Sequence, residues 1–125
     1  MRKRILVVDD DRVVLLVLGD ALRRLGDDCE VITASDAHEA LDALRGGPFD
    51  AMVTDLSLPG ITGVALTESA RRLRDGMPIL WITAYGCDNV CHEGADLGVF
   101  CCLDKPVEVS QIREAVRAAL EAPVC

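Results

Sequence analysis

The 125 residues predict an α/β domain with a five-stranded parallel sheet, strand order 2-1-3-4-5, and helices on both faces. Three observations carry that expectation. Five short aliphatic runs alternate with five stretches of helical periodicity, joined by linkers of a few residues. The runs are apolar throughout instead of alternating, as strands covered on both faces are. Right-handed crossovers between consecutive parallel strands leave few topologies, and this order sets strands 1 and 3 side by side where the winding reverses.

Strand 1, near residues 4–8, is Ile5-Leu6-Val7-Val8, and it stops abruptly at Asp9-Asp10-Asp11. Helix 1 follows near 11–25, with Asp11 expected at its electropositive N-terminal end. Val14, Val17, Leu18, Ala21, Leu22 and Leu25 suffice for its core face, which leaves Val13, Leu15 and Leu16 partly outside. That surplus reads either as a wider core stripe or as an apolar patch beside the acids on which a helical partner docks. Strand 2 falls near 29–33 and helix 2 near 36–45, closed by Gly46-Gly47 before Pro48. Strand 3, near 49–54, again ends on an acid, Thr54-Asp55. A turn at Pro59-Gly60 leads to helix 3 near 63–74, and Gly76 and Pro78 open strand 4 near 78–82, which ends at Thr83. Helix 4 is expected near 87–97, strand 5 near 99–103 just before Lys105-Pro106, and helix 5 near 108–121. Val109, Ile112, Val116 and Leu120 share one face of that last helix.

Composition narrows the function classes. Half of the residues are hydrophobic, enough for one core, and aromatics are only 3%, so Val, Leu, Ile and Ala must build it. A formal charge of -8 argues against direct binding of nucleic acid or an anionic membrane, since both require a cationic face. The apolar runs are too short to span a bilayer, and Met1-Arg2-Lys3-Arg4 precedes too few apolar residues for a signal peptide. A reducing cytoplasmic setting is therefore expected, with the six cysteines as thiols. Residues 1–125 read as one domain, either standing alone or excised from the N-terminal end of a longer protein.

Ligands of open parallel sheets bind beyond the carboxyl ends of the strands. Asp9 and Asp10 would there face Asp55, with Thr83 and Lys105 on the far side. Three carboxylates and one ammonium do not balance, so either the acids hold protons or a cation sits among them. A hard, oxygen-liganded divalent ion such as magnesium suits carboxylates, waters and a phosphate oxygen. Metal, lysine and hydroxyl around one carboxylate are the parts that in-line phosphoryl transfer requires. Asp55 is the best nucleophile, central and in need of no general base.

These motifs resemble the receiver domain of two-component response regulators, chemotaxis regulators included, whose flavodoxin-like fold has the strand order given above. The matching residues are Val7-Val8-Asp9-Asp10-Asp11, then the run from Thr54 through Asp55, Ser57, Pro59 and Gly60 to Gly63, then Ile82-Thr83-Ala84, and Asp104-Lys105-Pro106. The resemblance implies a phosphorylation-dependent signalling switch in which Asp55 takes a phosphoryl group from a phosphohistidine on a histidine kinase or histidine phosphotransfer protein. It further implies magnesium held by Asp9, Asp10, Asp55 and the backbone carbonyl of Ser57, with Thr83 and Lys105 contacting the phosphoryl group. Such a domain catalyses its own phosphorylation and leaves room for slow self-dephosphorylation, but is not a metabolic enzyme. The cognate kinase and the output domain or protein are not legible in the chain.

Two positions depart from the pattern, and one is Val107, where Phe often follows the Lys-Pro pair. Family members usually carry Tyr or Phe three residues before the lysine, where this chain has Cys102. A small thiol cannot report burial as an aromatic ring does, so any output switch is expected in backbone and loop shifts, or at Tyr85 or Phe100. Asp104 is expected to point away from Lys105 by strand alternation. Two rival functions are a haloacid-dehalogenase-type phosphatase and a receiver-like interaction module that no longer turns over phosphate. The phosphatase needs a second acid where Ser57 stands, and the intact acid, threonine and lysine set speaks against the inert module. A flavodoxin-like cofactor carrier lacks its phosphate loop after strand 1. Cys87, Cys91, His92, Cys101 and Cys102 suggest a soft-metal or redox site, set against a plainer role as small buried hydrophobes.

Overall fold

The computed structural model describes residues 3–26 and 28–121. The basic start at Met1-Arg2 and the tail 122–125, which holds the sixth cysteine, lie outside them. Five strands form one parallel sheet in the order β2-β1-β3-β4-β5: β1 (Lys3–Val8), β2 (Cys29–Ala34), β3 (Ala51–Asp55), β4 (Ile79–Thr83) and β5 (Cys101–Asp104). The connecting helices are α1 (Arg12–Arg23), α2 (Ala37–Arg45), α3 (Gly63–Leu73), α4 (Cys91–Asp96) and α5 (Val109–Glu121). The predicted order and alternation are both observed.

Strand alternation divides the core in two. Leu6, Val8, Met52, Ile79 and Trp81 meet Leu41, Leu44, Leu66 and Ala70 from α2 and α3. On the other face Ile5, Val7, Val53, Leu80 and Ile82 meet Leu18 and Leu22 of α1 and Ile112 and Val116 of α5. Each such buried aliphatic side chain contributes about 1.5–3 kcal/mol, so these two layers hold the strand ends in place. The indole N–H of Trp81 donates to Thr67 Oγ1 at 2.9 Å, and that hydroxyl donates to the Gly63 carbonyl at 2.8 Å. A buried polar chain thus ties β4 to the first residue of α3.

The helix starts follow side-chain chemistry. Asp11 caps α1 by accepting the amides of Val13 and Val14, Asp36 caps α2 by accepting that of Glu39, and Thr62 caps α3 by accepting that of Ala65. Three sequence expectations need correcting. The core face of α1 is shifted: Leu15 is buried and Val17 is 46% exposed, because Leu15, Leu18 and Leu22 form the stripe that meets β1 and α5. Strand 3 begins at Ala51, with Phe49 packed in the preceding loop. Helix 4 is not continuous over 87–97: Gly86 takes φ +90°, Cys87–Asn89 form a short 3₁₀ turn, and Val90 leaves helical geometry before α4 starts uncapped by any side chain.

Candidate functional site at the carboxyl edge of the sheet

Parallel pairing fixes the site. Val8 lies opposite Thr54, Asp55 opposite Ile82, and Thr83 opposite Asp104, so the residues that end β1, β3, β4 and β5 line one edge. The backbone N–H of Lys105 donates to the Thr83 carbonyl at 2.8 Å, which extends the β4–β5 ladder by one residue and aims the lysine inward. The Lys105–Pro106 peptide is cis.

Lys105 Nζ lies 3.0 Å from Asp55 Oδ2 and 3.2 Å from Asp9 Oδ2. Both acids are almost wholly buried, at 3% and 1% exposure, while 28% of the lysine side chain reaches solvent. The second oxygen of each acid accepts a backbone amide: Asp11 N–H on Asp9 Oδ1 at 2.9 Å, and Ser57 N–H on Asp55 Oδ1 at 3.2 Å. Every carboxylate oxygen of the buried pair is therefore held by a donor, which fixes its aim. Burial pushes the Asp9 carboxyl above its ordinary range, the neighbouring charge of Asp55 adds to this, and the Asp11 amide and Lys105 oppose it. Burial pulls the Lys105 ammonium down, but its hydrogen bond to Asp55 and the charges of Asp9 and Asp55 outweigh that and leave it raised. Lys105 is thus a firm cation at neutral pH.

Asp10 is exposed, yet one oxygen from each of Asp9, Asp10 and Asp55 falls within a 4.8 Å span. Among the described residues only this trio converges in a way that suits a metal ion. Against three acids stands one lysine, which leaves two formal negative charges unbalanced, and Asp10 opens the cluster to water. An all-oxygen donor set with solvent access fits magnesium, which keeps several waters and binds through one or two carboxylates. The sulfur-rich metal site considered from the sequence is not assembled among the described residues: Cys101 faces the α1–α5 layer, Cys102 the opposite one, and the break at Val90 separates Cys87 from the helix of Cys91.

Thr83 is fully buried, and its Oγ1 accepts the Tyr85 amide at 2.9 Å, so it stands outside the acid–lysine network. Ser57 takes part through its amide, with its side chain exposed. Cys102 sits on β5 against the core layer that contains Trp81. Asp104 turns away from Lys105, as alternation required, and accepts the Cys87 amide at 2.8 Å.

One contributing residue escaped the sequence reading. A Cβ added at Gly63 would meet the Asp55 carbonyl oxygen at 2.3 Å and Leu56 Cα at 2.6 Å, while the Gly63 N–H donates to the Leu56 carbonyl at 3.0 Å. Only glycine lets α3 start against the backbone that carries Asp55. The signal was the glycine directly after the Thr62 cap, which the sequence alone showed only as the end of the matching run and the start of helix 3.

The family model for the response regulator receiver domain matches residues 5–117. Transcriptional regulatory protein TcrA of Mycobacterium tuberculosis is 36% identical over 115 residues, covering 92% of this chain and 45% of its own length. Response regulator protein PilR of Pseudomonas aeruginosa is 33% identical over 131 residues, covering 98% of this chain and 29% of its own. This chain therefore spans less than half the length of both relatives. Among solved structures, a response regulator receiver domain protein described as CheY-like, from Methanospirillum hungatei, superposes with a TM-score of 0.89 at 30% identity, covering 97% of this chain and 95% of that one.

Proposed function

The chain belongs to the response regulator receiver domain family, whose members are phosphorylation-dependent signalling switches, and on that premise we propose that Asp55 is its phosphoacceptor. The observation that carries this reading is the Lys105 ammonium 3.0 Å from Asp55 and 3.2 Å from Asp9, with Asp10 beside them. An oxygen of Asp55 attacks the phosphorus of a phosphohistidine, the new P–O bond forms as the P–N bond breaks, and the imidazole leaves with its electron pair. Lys105 follows the negative charge onto the phosphoryl oxygens, and the fixed amides of Asp11 and Ser57 keep both buried acids aimed without reorganisation. Asp9, Asp10 and Asp55, with the Ser57 carbonyl, are the residues that would hold magnesium. Bound there, the ion supplies the charge that lets an anionic donor approach an acidic pocket.

Thr83 is the candidate for transmitting the change. A hydroxyl that turns to donate to a phosphoryl oxygen gives up the Tyr85 amide, and the loop carrying the exposed Tyr85 must then move. With Cys102 in the usual aromatic position, that loop is the natural carrier of the signal. Val13 and Leu16, 67% and 71% exposed on the first turns of α1 beside the acids, suit docking of a helical phosphodonor such as a histidine kinase or phosphotransfer protein. A cytoplasmic location goes with such donors, and the net charge of -8 speaks against nucleic acid as a direct partner. The haloacid-dehalogenase reading gives way: the comparisons return receiver domains, and a serine amide stands where that chemistry needs an acid.

Incubation with a small acyl phosphate and magnesium, read by intact mass, tests the proposal. One added phosphoryl group that fails to form when the metal is chelated is expected. Unmodified mass with magnesium and a competent donor would overturn it.

A further inference from the structure

Trp81 is fully buried in the middle of β4, opposite Thr54 on β3 and Cys102 on β5. Its indole meets two helices. The N–H donates to Thr67 Oγ1 of α3 at 2.9 Å. The far edge of the ring system faces Gly94, the one buried residue of α4, where an added Cβ would lie 3.4 Å from Cζ3. Thr67 is fully buried too, and its hydroxyl reaches back one turn to donate to the Gly63 carbonyl at 2.8 Å. Gly63 in turn lies against the backbone of Asp55, whose carbonyl oxygen also accepts the Thr54 hydroxyl at 2.9 Å. A contiguous path thus runs from α4 through Trp81 and Thr67 to the backbone behind Asp55.

We propose that Trp81 is a positioning residue for phosphoryl uptake, setting Asp55 through Thr67 and Gly63 and linking it to α4. The inference rests on the reading of Asp55 as phosphoacceptor and adds to it. Both hydrogen bonds of the path are buried, so removing either leaves a polar group unpaired, and a shift of the α3 start relieves it. Gly63 has no slack toward Asp55: its own Cα already sits where a Cβ would collide with the Asp55 carbonyl. A shift there therefore moves the acid. In-line attack on phosphorus depends steeply on where the attacking oxygen lies, so a small displacement slows uptake far more than it disturbs the fold. The same path gives Cys102 a setting. The aromatic ring of this core layer stands on β4, and the facing position on β5 holds a small thiol packed against that layer. With Gly94 resting on the ring, a displacement of α4 reaches Asp55 without an aromatic at position 102.

The test is the rate of phosphoryl uptake from a small acyl phosphate at saturating magnesium, with every variant held well below its melting midpoint. Thr67→Val keeps the branched shape and removes both hydrogen bonds, and should slow uptake by about tenfold. Thr67→Ser restores the hydroxyl and should recover most of the rate, while Trp81→Phe, which loses the N–H, should fall between. The NMR signal of the Ser57 amide, which donates to Asp55 Oδ1, should move in Thr67→Val and return in Thr67→Ser. A purely structural role lowers the melting midpoint only. An unchanged rate or an unmoved Ser57 signal in Thr67→Val, or no recovery in Thr67→Ser, would overturn the proposal. A wild type that takes up no phosphoryl group would instead defeat the phosphoacceptor reading, and the Ser57 signal then decides the positioning alone. Should the variants not fold, the wild type decides. Its single tryptophan gives one indole N–H signal, which should move on phosphoryl uptake, and a signal that stays fixed would overturn the proposal.

Discussion

The β1–β3 end of the sheet and the β4–β5 end are built to different standards. Asp9 and Asp55 stand almost wholly buried at the ends of β1 and β3, each carboxylate oxygen is held by an amide or by Lys105, and α1 and α3 start on side-chain caps. Across the edge, β5 is only half-buried, α4 is six residues long and uncapped, and the preceding turn is tied to β5 by the Cys87 amide on Asp104. The difference teaches a division of labour. Phosphoryl chemistry needs acids that do not move, whereas a signal needs a segment held by few contacts. One sheet edge supplies both.

The comparison breaks first at Lys105. Lys105→Met leaves two buried carboxylates without their counter-charge and should cost about 3–5 kcal/mol in magnesium-free urea unfolding. A loss near zero would mean that the acids are not held by the lysine. Next comes the metal: magnesium at a hundredfold its Kd should add about 2.7 kcal/mol to the unfolding free energy. Asp10→Asn should shrink that gain at the same concentration, and an unchanged gain would place the ion elsewhere. Gly63→Ala forces a Cβ onto the Asp55 carbonyl, at a cost of about 1–3 kcal/mol in thermal unfolding, with slower phosphoryl uptake. The finest contrast pairs two aspartates. Asp11→Ala removes a helix cap at the rigid end and should lower global stability by about 1 kcal/mol. Asp104→Ala should change global stability by less than about 0.5 kcal/mol, yet speed hydrogen exchange at residues 84–91. Equal global losses would erase the distinction between the two ends.

The rigid end was legible in the chain because its signals are local. An aliphatic run that stops at Asp9 or Asp55 announces both a buried strand and the acid it delivers, and parallel pairing then brings the strand ends together. Asp11 as a cap was equally readable. Periodicity failed on α1, since the run Val13 to Leu18 offers two apolar stripes, and only packing against β1 and α5 selects Leu15 over Val17. It failed again around Val90, where a turn bound to β5 interrupts a helical pattern. The Gly63 approach and the hydrogen bond from the Cys87 amide to Asp104 are tertiary, and no spacing rule encodes them.

The most direct measurement locates the phosphoryl group itself. Protein treated with a small acyl phosphate and magnesium is reduced with borohydride, which converts an aspartyl phosphate to homoserine, and its peptides are mapped by mass. Homoserine at position 55 alone, absent without magnesium and absent in Asp55→Asn, is the expected result. Conversion at another acid, or equal labelling in Asp55→Asn, would contradict the account.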